Sequence, residues 1–335
     1  MNEPLSEEIM KKKRNKWKIA GFSLLGIIIL IIAGFGYEYY KIQPKNHFTT
    51  VPVVSSGKAK INSSTSETVK VKDPEFNILL IGSDERKGQK VGHSDSMMLV
   101  HVDLTNHQYD AISIPRDTRV YLDGYGYTKL TSVQYIMQAT KGAQKGVEEA
   151  VKAVVELTGV PINYYVETNY GGFQAMVDAV DGIEMNVPFG VKLTHPWYSE
   201  NKNKVINAGT HSFDGKMVAE VVHERYSLAS GEYGRQKLQE EALKGIAKKA
   251  LSPNNITNLP SLVKSIPDFI IATNMSTQDM LSLGLAAKDF APETQLEYHQ
   301  IPGVGKRMYD DILKANNYQL VIDQEKIKKL VTKNF

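Results

Sequence analysis

The pattern of apolar and polar positions divides the chain into three unequal parts. An uncharged apolar run covers residues 19–37 and, at about 18–20 residues, matches the thickness of a bilayer's hydrocarbon core. Residues 41–73 are rich in Ser, Thr, Lys and Val and are too polar to build a core. From Phe76 onward, short apolar runs alternate with stretches of helical periodicity, which is typical of a globular domain.

Within the globular part, the periodicity predicts a mixture of strands and helices. The helix signal is strongest in KGVEEAVKAVVELTG, where one apolar stripe is ended by Gly159. Strands are expected at 76–83, 96–103, 109–115, 163–169, 183–187 and 296–302. Further helices are expected at 173–182, 214–224, 232–250, 276–288 and 323–333. This mixture predicts an α/β domain with a mixed central β-sheet flanked by helices on both faces.

The N-terminal apolar run predicts a single transmembrane helix that acts as an uncleaved signal anchor. Six basic residues between Lys11 and Lys18 precede the run, so the positive-inside rule leaves residues 1–18 in the cytoplasm. A cleaved signal peptide is the competing interpretation, but the run is long, and Tyr37, Tyr39 and Tyr40 follow in place of a cleavage site. The predicted protein is a single-pass cell-membrane protein: tail 1–18, transmembrane helix 19–37, flexible extracytoplasmic stalk 38–73 and extracytoplasmic catalytic domain 74–335.

Composition narrows the function classes. The 335 residues are 42% hydrophobic and suffice for one large domain or two small ones with appendages. The net charge of +3 is small and is not gathered into one folded stripe, so nucleic acid is not an expected partner. The chain has no cysteine, which fits an exported protein that needs no disulfides. The motifs of P-loop, dinucleotide-binding and serine-hydrolase proteins do not occur in it.

Charged residues concentrate where predicted elements end. The segment from Asn77 to Asp103 places several charges between two apolar runs. Four clusters of this kind occur: Asp84 and Arg86, His93 to Asp95, Ile114 to Thr118, and His223 to Gln239. Lys129 is an outlying cation. Strand ends are where ligands bind in α/β sheets.

Any one of these clusters could be an ordinary surface ion pair or turn. Their combination favours a pyrophosphate, because arginines bind phosphate bidentately. Mg²⁺ prefers one or two carboxylates together with phosphate oxygens. Zinc would need cysteines or grouped histidines, which the sequence does not offer.

The motifs, taken in order, resemble those of the LytR–CpsA–Psr family. They are ILLIGSDER, GHSDSMM, SIPRDTRV, GYGYTKL, INYYVETNYGGFQAMVDAVDGIEMNV, NAGTHSFDGKMVAEVVHERY and GEYGRQKLQ, and they cover most of residues 76–250. The resemblance implies a cell-wall enzyme of Gram-positive and related bacteria. Such an enzyme is a phosphotransferase that moves an anionic glycopolymer, such as teichoic acid or capsule, from a polyprenyl-pyrophosphate carrier to peptidoglycan. Its expected partners are that lipid-linked polymer, the peptidoglycan acceptor and the cell membrane.

The resemblance also assigns roles to residues. Asp84 and Asp95 match the pair that holds Mg²⁺, with Mn²⁺ as an alternative metal. Asp117 is expected to orient Arg116 or to cap its turn. The expected catalytic residues are Asp84, Arg86, Asp95, Arg116 and Arg225. The expected pyrophosphate-binding residues are Arg86, His93, Arg116, Lys129, His223, Arg225, Arg235, Gln236 and Gln239.

Three positions depart from the family pattern. His93 and His223 stand where the family usually has arginine, and Leu238 replaces a second arginine. Neutral imidazole holds phosphate less firmly than guanidinium but accepts protons better. Two alternative functions therefore stay open: a hydrolase that releases polyprenyl-pyrophosphate-linked lipid with the same site, and a non-catalytic lipid-binding protein of the cell envelope. A transcriptional role has no support, because the tail before the anchor is too short for a DNA-binding domain.

Overall fold

The computed structural model of the chain describes residues 36–54, 67–71, 74–86, 88–252, 255 and 259–335. The predicted basic tail, nearly all of the predicted transmembrane helix and the centre of the predicted stalk lie outside these residues. Among the helices of the described ranges, none combines the length and apolarity needed to cross a bilayer.

A six-stranded mixed sheet forms the centre of the fold. Its strands are β3 (Glu75–Ser83), β4 (Ser94–Asp103), β5 (Gln108–Ile114), β8 (Tyr164–Asn169), β13 (Ile270–Thr273) and β14 (Leu296–Gln300). Their order across the sheet is β13–β8–β3–β4–β5–β14. The chain runs antiparallel through β3, β4 and β5, whereas β8 is parallel to β3 and β14 is parallel to β5.

Helices cover the sheet because its strands alternate buried side chains between two faces. The helices are α1 (Pro44–His47), α2 (Leu130–Lys141), α3 (Ala143–Thr158), α4 (Tyr170–Ala179), α5 (Gly215–His223), α6 (Glu232–Ala250), α7 (Leu259–Lys264), α8 (Thr277–Ala286), α9 (Pro292–Gln295) and α10 (Gln324–Asn334). Leu79 and Ile81 pack with α2 and α3. Ile78 points to the opposite face of the sheet and packs with residues of α8. The predicted class, a mixed α/β fold with a central mixed sheet, is confirmed.

In the described part of the chain, five two-stranded sheets surround the central one. Their strands are β1 (Thr50–Val53) with β2 (Glu67–Lys70), β6 (Arg119–Leu122) with β7 (Gly126–Lys129), β9 (Ile183–Val187) with β12 (Gly209–Phe213), β10 (Val191–Lys192) with β11 (Val205–Ile206), and β15 (Gly303–Asp310) with β16 (Ala315–Ile322). Strand β9 is the predicted strand 183–187, but it pairs with β12 and does not join the central sheet. The two strands share a separate core with α4, α5 and α6.

The helix expected at 173–182 begins earlier and ends earlier than its periodicity suggested. It covers Tyr170–Ala179, because the Asn169 side chain accepts a hydrogen bond from the Gly172 N–H and so caps the helix upstream. Gly182 lies beyond the helix at a φ of 74°, a left-handed conformation that suits glycine. The helix expected around residues 145–159 forms as α3, and Gly159 ends it.

The described parts of residues 38–73 are not the flexible stalk that the composition predicted. Phe48 and Val51 are buried with Phe76 and Tyr164 against the start of β3. Val54 also bridges to Ile162 beside the sheet. The physical cause is that a few large apolar side chains suffice to dock a polar segment on a core. An average composition over the whole segment does not reveal them.

Candidate active site

The register of the central sheet brings the predicted site residues to one edge. Ser83 at the end of β3 faces Ser94 at the start of β4, and Met97 faces Ile114 at the end of β5. The next residues along the chain therefore meet at that edge, and they carry Asp84, Asp95 and Arg116. The ends of β8 and β14 lie at the same edge, because both strands run parallel to their neighbours.

Asp84 is held by His93 across the turn between β3 and β4. Its Oδ1 accepts the His93 backbone N–H at 2.6 Å, and its Oδ2 lies 3.1 Å from His93 Nδ1. Burial alone would raise the pKa of Asp84, but the hydrogen bonds from His93 outweigh it and leave the pKa below its usual value. The His93 ring stacks on Tyr135 at 4.5 Å. His93 therefore orients a carboxylate in this structure.

Arg116 is oriented by Asp95. An Nη1 of Arg116 lies 2.6 Å from Asp95 Oδ2, and Thr131 donates to Asp95 Oδ1 at 3.3 Å. Burial opposes the charged form of Arg116, but Asp95, Glu232 and Asp117 more than compensate, so its pKa is raised. Arg116 stays a cation in a largely buried position.

Asp117 contacts two other cations, so the expectation that it orients Arg116 is not met, although its negative charge helps to raise the pKa of Arg116. Its Oδ1 accepts from Lys129 Nζ at 2.8 Å, and its Oδ2 lies 3.9 Å from Arg225 Nη1. Asp117 therefore connects two predicted phosphate-binding cations that are far apart in the sequence.

One small cavity of about 130 Å³ at this edge is lined by three arginines and His223, and His195, Glu224 and Tyr226 complete its wall. The arginines are Arg116, Arg225 and Arg235. The Nε atoms of Arg116 and Arg235 are buried and find no hydrogen-bond partner among the described residues. Unpartnered buried donors are costly, so an anion that accepted from them would be bound favourably.

His223 presents a neutral imidazole to this cavity. Its burial, and then the charge of Arg235, lower its pKa. Its ring also contacts Trp197, at 5.0 Å between centroids. The lowered pKa favours the unprotonated ring, which is the form that a general base needs.

Other predicted residues lie around this centre. Arg86 stacks on Trp197 with its guanidinium carbon 4.5 Å from the ring. Gln239 accepts a hydrogen bond from Ser96 at 3.0 Å. Gln236 is buried, accepts a hydrogen bond from Gln300 at 3.2 Å and is not among the residues that line the cavity.

A buried carboxyl group that the sequence pattern did not single out lies behind the two aspartates. Glu167 on β8 is 2% exposed and accepts a hydrogen bond from Gln134, which in turn accepts from Ser94 at 2.5 Å. The Ser83 hydroxyl also hydrogen-bonds Glu167, and burial raises the pKa of this carboxyl to about 7. Ser83 and Ser94 directly precede Asp84 and Asp95. Glu167 thus ties together the two strand ends that carry the aspartates, and the only signal in the sequence was a glutamate inside an apolar strand.

Asp84 and Asp95 offer the hard oxygen ligands that suit Mg²⁺. Both carboxylates are part-exposed, at 40% and 27% of the side chain. Each oxygen has a second lone pair beyond the hydrogen bond it accepts. In the described part of the chain, no third carboxylate or imidazole completes a three-ligand group with them. The residues fit a metal that takes its remaining ligands from water and a bound phosphate.

A larger open depression, of about 760 Å³, lies beside β9 and α6. None of the described residues that line it is a predicted site residue. The convergent cations line the smaller cavity, and the chemistry is assigned there.

Comparison with protein families gives a match to the LytR_cpsA_psr family over residues 45–335. The matched range begins within the segment that packs on the start of β3. A relative from Bacillus cereus, polyisoprenyl-teichoic acid–peptidoglycan teichoic acid transferase TagU, is 31% identical over 304 residues, which are 90% of this chain and 92% of the relative. A protein of the same name from Enterococcus faecalis is 27% identical over 91% of both chains.

Solved structures share the fold. The crystal structure of B. subtilis TagV superposes with a TM-score of 0.63 at 25% identity, and the match covers 79% of this chain and 98% of TagV. The structure of TagT bound to LI-WTA gives a TM-score of 0.60 at 26% identity, with 78% and 89% covered.

Proposed function

The chain belongs to the LytR_cpsA_psr family, and from that premise we propose that it is a transferase that joins an anionic glycopolymer, carried on polyprenyl pyrophosphate, to peptidoglycan. The names of its relatives make teichoic acid the polymer to test first. The observation that carries the proposal is the cavity in which Arg116, Arg225 and Arg235 converge. The buried Nε atoms of two of these arginines, Arg116 and Arg235, have no hydrogen-bond partner among the described residues.

The arginines bind the pyrophosphate. Arg116 is fixed by Asp95 and Arg225 lies beside Asp117, so the cations are preorganised before the substrate arrives. Most catalysis of phosphoryl transfer is positioning and charge stabilisation, which preorganised cations supply without further reorganisation. Lys129, held by Asp117, adds positive charge on the far side of Asp117 from Arg225.

Asp84 and Asp95 are the residues that would hold Mg²⁺, with Mn²⁺ as an alternative. When bound, the metal supplies neutralisation of charge on the phosphate oxygens. Asp95 already contacts Arg116, so its carboxylate would then serve both the arginine and the metal.

In the transfer step, an acceptor hydroxyl of peptidoglycan attacks the phosphorus that carries the glycopolymer. A new P–O bond to the acceptor forms, the bond to polyprenyl phosphate breaks, and the hydroxyl proton passes to a base. His223 is the base that the geometry favours, because its lowered pKa keeps it neutral and it lines the same cavity as the arginines. His93 is occupied with Asp84.

The site acts at the outer face of the cell membrane, with residues 19–37 as the anchor and residues 1–18 in the cytoplasm. The support is the apolar run itself and the basic residues before it. This location puts the cavity where both the polyprenyl carrier and peptidoglycan are found.

A hydrolase is the second candidate, and His223 is the specific observation that favours it. An imidazole that activates the acceptor hydroxyl can also activate water. The product separates the two: a free phosphorylated glycan for the hydrolase, and a glycan joined to peptidoglycan for the transferase. A non-catalytic lipid-binding protein would give neither product.

The test incubates the full-length protein in detergent with a polyprenyl-pyrophosphate-linked sugar and short peptidoglycan glycans, with Mg²⁺ or with EDTA. Products are read by mass spectrometry. We expect an Mg²⁺-dependent adduct that Asp84→Ala and Arg116→Ala each reduce by about 100-fold or more, as losses of charge stabilisation do. Asp289→Ala, at an exposed position, is the matched control. Full activity in both site variants would refute this mechanism.

A further inference from the structure

Two exposed tyrosines extend outward from the cavity along one face of the β6–β7 hairpin. Lys129 pairs with Arg119 across this hairpin, and Tyr127 pairs with Tyr121. Residues two apart in a strand share a face, so all four side chains lie on the same side, where their exposure also places them. One end of this face is Lys129, which is hydrogen-bonded to Asp117 beside Arg225.

The rings are exposed and at the same time held in place. Tyr121 is 56% exposed and Tyr127 is 46% exposed, with their centroids 5.2 Å apart and edge to face. The Arg119 guanidinium lies 4.2 Å over the Tyr127 ring and donates to the Tyr309 carbonyl at 2.9 Å and to Gln319. Exposed side chains are usually free to move, so this fixation calls for an explanation.

The backbone beneath the rings is fixed as well, by the β15–β16 hairpin. Tyr127 N–H donates to Asp311 Oδ2 at 2.6 Å, and Asp311 N–H donates to the Tyr127 carbonyl at 2.9 Å. Thr128 donates to the buried Asp310 at 3.0 Å. The two hairpins thus form one preorganised surface, and preorganisation reduces the entropy lost on binding.

We propose that this face, formed by Tyr121 and Tyr127 with Arg119 as their support, is the subsite for the acceptor glycan strand of peptidoglycan. The proposal rests on the proposed transferase function. Tyrosine rings offer flat apolar surface with a polar edge, which suits the apolar faces and hydroxyls of pyranose rings. The face leads to Lys129 and the cavity, so a strand lying on it would present a sugar hydroxyl to the bound pyrophosphate.

The chemistry of the face favours the acceptor over the anionic donor polymer. A polyanion would require free cations along its path. Both cations of this face lie at its cavity end, since Arg119 pairs with Lys129 across the hairpin, and both already have partners: Arg119 contacts Tyr127, Gln319 and the Tyr309 carbonyl, and Lys129 contacts Asp117. The two tyrosine side chains beside them are uncharged.

The test measures equilibrium binding of soluble, uncrosslinked peptidoglycan glycan fragments to the full-length protein in detergent, without donor. It also measures KM for acceptor and donor separately. For Tyr121→Ala/Tyr127→Ala we expect acceptor binding to weaken and acceptor KM to rise by about five- to tenfold. The kcat and the donor KM should stay near their wild-type values. Tyr121→Phe/Tyr127→Phe should retain most of the binding, because the rings remain.

Tyr39→Ala, which removes an equally exposed tyrosine from the helical residues 36–42, is the matched control. If the double variant does not fold, Tyr121→Ala alone tests the same face, because Tyr121 is the more exposed of the two rings. Unchanged glycan binding in a folded alanine variant would overturn the inference, and so would a rise in donor KM alone. If the wild type binds glycan fragments but forms no adduct, the proposed transferase function is wrong. Comparing glycan binding by the wild type and the alanine variant would still show whether this face binds the glycan.

Discussion

At the scale of single residues, acidic side chains set the positions of the cations. Asp95 fixes Arg116, and Asp117 lies between Lys129 and Arg225. Behind them Glu167 joins the two strand ends through Gln134 and the serines that precede Asp84 and Asp95. Because these acidic groups are at least partly buried, their hydrogen bonds are screened less by solvent than surface pairs are.

The Glu167→Gln variant tests the raised pKa of the buried carboxyl through the pH dependence of the free energy of unfolding. Burial raises the pKa of Glu167 from 4.5 to about 7. Between these values the folded chain binds more protons than the unfolded chain, so the free energy of unfolding falls as pH rises through this window and levels off above it. Relative to the glutamine variant, which cannot titrate there, we expect the free energy of unfolding of wild type to fall by about 3 kcal/mol between pH 4.5 and 8.

Urea unfolding of both proteins at several pH values from 4.5 to 8 measures this difference. The variant keeps an oxygen that accepts from Gln134, so it should fold and retain Mg²⁺-dependent activity at low pH. If the free energies of unfolding of the two proteins changed in parallel with pH, the pKa of Glu167 would not be raised in the folded chain.

At the scale of elements, the segment around α1 and β1 belongs to the folded domain. Phe48 is 1% exposed, and its ring centroid lies 4.6 Å from that of Phe76. His47 lies 2.7 Å from Asp279 near the start of α8, which ties the segment to the C-terminal part of the chain. A shortened chain that begins after this segment would therefore uncover the start of β3.

Phe48→Ala should lower the free energy of unfolding by about 3–5 kcal/mol, as removal of a buried phenyl ring usually does. Chemical denaturation of the two proteins measures the change. Tyr40→Ala, at a side chain that is 60% exposed, should stay within about 0.5 kcal/mol of wild type. Equal stability of wild type and Phe48→Ala would mean that the segment is not docked on the core.

A second element-scale prediction compares two glycines of the β6–β7 hairpin. Gly124 and Gly126 both have positive φ, at 78° and 92°, so alanine is strained at either position. Only at Gly126 would a Cβ also collide with Asp311, at 2.5 Å. Gly126→Ala should therefore lower the thermal midpoint more than Gly124→Ala, and it alone should disturb the contact that fixes Tyr127. Equal decreases of the thermal midpoint in both variants would show that the contact between the β6–β7 and β15–β16 hairpins contributes little to stability.

At the scale of the whole molecule, the C-terminal region completes the same sheet that carries the aspartates. Strands β13 and β14 occupy its two edges, and β15–β16 supports the hairpin beside Lys129. The described residues after Leu251 are thus part of the framework that carries the candidate site.

Deletion of residues 1–37 tests the proposed anchor. Full-length protein should sediment with membranes and need detergent for release, because the apolar run of residues 19–37 suits a bilayer. The shortened protein should be found in the soluble fraction and should still act on a short-chain, water-soluble donor. Membrane sedimentation of the shortened protein would place the attachment elsewhere in the chain.

The sequence by itself determined the fold class, most of the central strands and helices, and the residue types of the site, because periodicity and motif order are local properties of the chain. Tertiary structure alone decided which acid orients which cation, as Asp117 shows by lying between Lys129 and Arg225. It also decided that Phe48 is core and that Glu167 lies behind the aspartates. These pairings join residues up to about a hundred positions apart, and they depend on strand register and packing, which no local pattern specifies.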